Sequence, residues 1–129
     1  MNHTEIKTFE DACKATNKNP ETLPDVSMLS TGMAKFILAN YKLAIIAEAI
    51  NEGKKADWSN YDEWKYYPWF EIKTDKQNPS GVGFSGSHYA IWITHTAVGS
   101  RLSFRTRELA LYAGKQFEEL YLDLILHND

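Results

Sequence analysis

The sequence predicts a single α+β domain spanning 1–129, with a small antiparallel three-stranded sheet packed with two long helices and one or two short helices. Three observations predict it. Apolar residues recur at helical spacing after Thr31 and again after Thr106. Between those stretches lie segments of period-2 alternation joined by hairpin-length polar turns, which makes neighbouring strands antiparallel. The chain has 129 residues, 43% hydrophobic and 24% charged, enough to build one core without staples.

The first helix begins at Thr8. Its hydroxyl can accept from the amide three residues on, and Asp11 can reach back, a variant of the capping box. Phe9, Ala12 and Cys13 share one side, and Asn17, Asn19 and Pro20 end the helix. Pro20 to Ser30 is a connector anchored by Leu23, Val26, Met28 and Leu29.

The second helix runs from about Thr31 to Glu52. Met33, Ile37, Tyr41, Ala44, Ile45 and Glu48 trace one stripe, and Phe36, Leu43, Ile46, Ala47 and Ile50 widen it. So wide a stripe implies packing on more than one side. Gly53 is the expected left-handed stop. Ser59 and Asp62 predict a short helix through about Lys65. Pro68 then pushes Tyr67 into an extended conformation.

Trp69 to Lys73 reads as the first strand, Val82 to Thr96 as the second and Arg101 to Phe104 as a short third. Thr106 is the N-cap of the last helix, whose buried stripe is Leu109, Ala113, Phe117, Leu120 and Leu124.

Composition narrows the function. A net charge of −3 disfavours non-specific wrapping of duplex DNA, which needs a broad cationic excess. Cys13 is the only cysteine, which fits a reducing compartment and a small buried residue rather than a nucleophile. The longest wholly apolar run, Leu43 to Ala47, is far short of the ~20 residues of a spanning helix. The first ten residues carry no apolar leader. No membrane partner is expected.

Several motifs dissolve in context. Gly81-Val82-Gly83-Phe84-Ser85-Gly86 matches a dinucleotide-binding fingerprint, but leads into a strand and not a helix, so no helix N-terminus would meet a phosphate. Its bland reading is a bulged strand start. Gly83 to Ser87 falls one glycine short of a nucleophile elbow. His88 and His95 lie an odd number of residues apart in one strand, on opposite faces, so they cannot share a metal. Glu48 and Glu52 are an i, i+4 pair without a partner motif, read as a solvated helix end. The expectation is no catalytic residue, no metal and no cofactor.

Seven aromatic side chains fall between Trp58 and Phe70. They read as core, as a protein-binding hot spot or as a stacking platform for bases. The first functional expectation is a non-enzymatic protein that binds another protein, or itself, through Trp58, Trp64, Tyr66 and Trp69. The second is a single-stranded nucleic-acid binder that stacks bases on these rings and takes phosphates on Arg101, Arg105, Arg107 and Lys73. The two separate on geometry, because the second needs rings and arginines on one face.

Tyr41 to Gly53, Asp57-Trp58, Tyr66-Tyr67-Pro68-Trp69-Phe70, Gly81 to Ser85 and the run from Val98 to Phe117 together resemble short uncharacterised proteins of Bacteroides-type gut bacteria, their prophages and phages. The resemblance covers nearly the whole chain. It implies a phage or prophage accessory protein acting in the cytoplasm of the bacterial host. No activity is assigned to that family, so no catalytic residue carries over.

Overall fold

The computed structural model describes residues 2–55, 57, 59–60, 63–72, 82–90 and 101–125, with the backbone alone at 69–72 and 82–90. A 3-10 turn at His3–Glu5 leads into α1 (Phe9–Ala15) and α2 (Thr31–Ile50). An antiparallel ribbon follows, β1 (Lys65–Ile72) with β2 (Val82–Ala90), then α3 (Arg107–Gln116) and α4 (Glu118–Ile125).

Helix α1 starts where its capping box places it. The Thr8 hydroxyl accepts from the Asp11 N–H at 3.1 Å, and the Asp11 carboxylate accepts from the N–H groups of Lys7 and Thr8. Asn17, at φ 57°, ends it in the left-handed region, with the Lys18 N–H returning to the Cys13 carbonyl. Helix α2 ends the same way. Glu52 and Gly53 both have positive φ, and the Gly53 N–H bonds the Glu48 carbonyl at 2.9 Å. The expected stop at Gly53 is therefore shared with the residue before it.

The core lies on the second half of α2. Leu43, Ile46, Ala47 and Ile50 are buried there. They meet Ile6, Phe9, Ala12 and Cys13 on one side, and Phe104, Leu109, Ala110, Ala113, Phe117 and Tyr121 on the other. Ala12, Ala110 and Ala113 are fully buried, and their small side chains allow close approach of the helices. Burial pushes the Cys13 thiol upward, so it stays protonated and packs as an apolar group. Tyr112 clasps the N-terminal segment by donating its hydroxyl to the Ile6 carbonyl at 2.7 Å.

Among the described residues the regular structure is mostly helical, and this corrects the expected α+β class with its three-stranded antiparallel sheet. Only two strands pair among the described residues. The expected third strand, Arg101 to Phe104, is a turn followed by one isolated bridge, Phe104 to Tyr66. Phe104 and Tyr66 exchange both backbone bonds, so continuing the ladder would set Leu102 opposite Pro68, which has no N–H to donate. On the side away from β1, the Asn51 side-chain amide donates to the Ser103 carbonyl at 2.9 Å and accepts from the Arg105 N–H at 3.0 Å, which ties the segment to the end of α2.

Other boundaries also move. The expected short helix at Ser59 to Lys65 is a turn at its described residues, because Asp57 captures Ser59 and Lys65 begins β1. The last helix divides at Phe117, whose φ of −115° is not helical. Phe117 and Tyr121, on either side of the break, are both buried in the core. Within the ribbon, Trp69 pairs with Gly86 but Phe70 pairs with Phe84, so Ser85 is an extra residue in a bulge. The glycine run thus lies inside a strand, with Gly81 outside the described residues. Tyr66 exchanges both backbone bonds with Phe104, so its N–H faces away from β2. Pro68, two residues on, faces the same way, and its missing N–H costs β1 no bond to β2. Residues 91–96 of the expected second strand, His95 among them, lie outside the described residues.

Two outcomes follow from these contacts. Asn51→Ala leaves a buried carbonyl and a buried N–H without partners, and urea unfolding should show a loss of roughly 2–4 kcal/mol. The Asp11 carboxyl is held below its ordinary value of 3.8, chiefly by the Lys7 N–H. A depressed folded pKa contributes stability above the ordinary value that is lost as pH falls through the folded one. Asp11→Asn should therefore melt below the wild type at neutral pH, and the gap should close below pH 3.8.

Candidate functional site

The C-terminal end of α2, the turn residues 63–65 and the segment before α3 line a cleft of about 280 Å³. Asn51, Lys54 and Lys55 line it from the α2 end, Glu63, Trp64 and Lys65 from the turn, and Ser103, Phe104 and Arg105 from the third side.

Each wall has a local cause. The positive φ of Glu52 and Gly53 turns the chain sharply after α2, and the next residues are Lys54 and Lys55, both exposed. The turn wall is organised by Lys65, which is 3% exposed. Its ammonium donates to the carbonyls of Asp57 at 2.8 Å and Asn60 at 3.1 Å, and lies 3.2 Å from the Glu63 carboxylate. The same Glu63 oxygen accepts from the Asp57 N–H at 2.8 Å, and this closes the turn into a ring of bonds. The Asp57 carboxylate accepts from the Ser59 hydroxyl and N–H, which hold it below the usual carboxylate range. Trp64 follows Glu63 on this braced turn and is 41% exposed.

The third wall is the segment clamped by Asn51. Arg105 sits there half-buried, and its Nε is a buried donor without a hydrogen-bond partner among the described residues. A buried donor left unpaired is costly, and a guanidinium is suited to planar, two-oxygen acceptors.

Four cations line the cleft against one carboxylate. Glu63 pairs with Lys65, while Lys54, Lys55 and Arg105 enter no ion pair among the described residues. The arrangement can hold an anion by charge and by the free guanidinium donor, with a large aromatic surface beside it.

The expected site residues separate. Trp64 and Arg105 come together in the cleft. Tyr66 is half-buried and packs against the core. Arg101 and Arg107 are exposed but do not line the cleft. Trp58 and Lys73 lie outside the described residues, as does the side chain of Trp69. Asn51, Lys54 and Lys55 were not among the expected site residues. The Lys54-Lys55 pair directly after a helix stop was the available signal. Glu48 pairs with Lys18 at 2.7 Å across α1 and α2, which accounts for it without a metal. Among the described residues, no group of three or more His, Cys, Asp or Glu side chains is placed to hold a metal ion.

A second surface lies at the other end of α2. The first buried residue of this helix is Ala39. Before it, Met33 is 44% and Phe36 39% exposed, and Met28 in the connector is 89% exposed. Leu23 and Leu29 are exposed as well. The wide stripe read from the sequence is thus covered only along its second half. Among the described residues, no helix is long and apolar enough to cross a membrane.

The chain matches no protein-family model, no curated protein and no solved structure.

Proposed function

We propose that this chain is a non-enzymatic binding protein whose cleft between the α2 terminus and the Ser103–Arg105 segment takes a phosphate-bearing ligand. The observation that carries this reading is the buried, unpartnered Nε of Arg105 beside Lys54 and Lys55. A phosphate oxygen satisfies that donor with a charge-assisted bond, and phosphate charge offsets the cationic excess of the lining. The reading keeps Arg105 from the expected anion cluster and replaces Arg101, Arg107 and Lys73 with Lys54 and Lys55.

A second reading keeps protein binding but moves it. Met28, Leu29, Met33 and Phe36 favour self-association through the first turns of α2, because exposed apolar side chains at and just before one helix end gain by burial against a like surface. Either role suits an accessory protein of the phage or prophage type, acting in a bacterial cytoplasm.

Inorganic pyrophosphate should raise the melting temperature of the full chain relative to sodium chloride of equal ionic strength. Arg105→Gln should lose at least about nine-tenths of the affinity. A wild-type melt indifferent to pyrophosphate sinks the phosphate reading. For the second reading, sedimentation velocity should show a concentration-dependent dimer that Phe36→Ser dissociates, and a monomer at all concentrations rejects it.

A further inference from the structure

We infer that the ligand of this cleft is an unpaired nucleotide, with its phosphate on Arg105 and its base against the indole of Trp64. The inference rests on the phosphate reading above and adds the identity of what carries the phosphate.

Two features point past a bare anion. The first is Trp64. A simple phosphate site needs cations and amides, and a large half-exposed ring adds nothing to it. Here Trp64 lines the same cleft as Arg105 and remains 41% exposed, so part of its surface is open to a second planar group. Every base has a π-face, and stacking on an aromatic side chain is the common mode for unpaired bases.

The second feature is the rigidity and size of the walls. The bonds among Lys65, Glu63 and Asp57 brace the turn that carries Trp64, and Asn51 holds the backbone N–H of Arg105, so the backbone of both walls is set before any ligand arrives. Such fixing lowers the ordering cost of binding. The cleft, at about 280 Å³, lies at the small end of ligand pockets and suits one nucleotide. A duplex is excluded on chemistry, because its bases are stacked on each other and expose only their edges. Lys54 and Lys55 on the rim are suited to neighbouring phosphates of the same ligand.

The shared chemistry is one phosphate next to one unpaired base, whether in a strand or in a free nucleotide. The test uses the full chain and fluorescence anisotropy with a labelled oligothymidylate of about ten nucleotides. Its comparators are an abasic strand of equal length, a duplex of equal length and competing thymidine monophosphate. The base-bearing strand should bind at least about fivefold tighter than the abasic one. Trp64→Ala should abolish that preference, and Trp64→Phe should retain part of it. Arg105→Gln should weaken both strands. Competition by the mononucleotide at similar concentration assigns the site to free nucleotides, and weak competition assigns it to strands. Either result supports the base on Trp64. Equal binding of base-bearing and abasic strands, with the pyrophosphate response intact, overturns the inference and leaves the phosphate reading standing. Equal or tighter binding of the duplex also overturns it. No response to strand or pyrophosphate removes both.

Discussion

The side-chain amide of Asn51 is the constraint on which much of this structure depends. It stands just past the end of α2, buried, and serves a carbonyl on one side of Phe104 and an N–H on the other. Phe104 is thereby seated in the core, and its own backbone groups are left for Tyr66. One amide thus links the longest helix, the ribbon and the approach to α3. An amide suits this position because it offers donor and acceptor at once, whereas a carboxylate offers only acceptors. The same bonds fix the backbone of Arg105 at the edge of a cleft. Fold and candidate site therefore share one cause.

The turn before β1 repeats this logic with charge. Lys65 would be expensive to bury alone, and two carbonyls and the Glu63 carboxylate compensate it. Its charge is thereby directed inward, and the cationic character of the cleft comes from Lys54, Lys55 and Arg105. The adjacent Trp64 is left partly open on a braced turn. Side chains bound into the frame and a side chain partly open at the cleft alternate along this short stretch, which is why composition alone cannot sort them.

Helix α2 shows a different division. Its second half is covered by α1, α3 and α4, while Met33 and Phe36 in its first half remain exposed. An apolar stripe records what a helix can bury. The neighbouring elements determine how much of it is covered, and here they reach only to Ala39.

Local patterns in the sequence were enough for features whose cause is local. The capping box of Thr8 and Asp11, the left-handed stop at Gly53, the Thr106 N-cap and the body of α2 each arise from bonds among residues close in the chain. The strand character of the glycine run was legible for the same reason, since no helix signal follows it. What the sequence could not settle was the role of Arg101 to Phe104, which carries strand-like alternation but bonds to Asn51, some fifty positions away. The union of Trp64 with Arg105 in one cleft likewise depends on two segments distant in sequence. The sequence by itself determined where helices start and stop and which residues are apolar. Only the tertiary structure decided that the segment before α3 docks onto the end of α2, and which ring shares a cleft with which cation, because those outcomes depend on partners that periodicity does not encode.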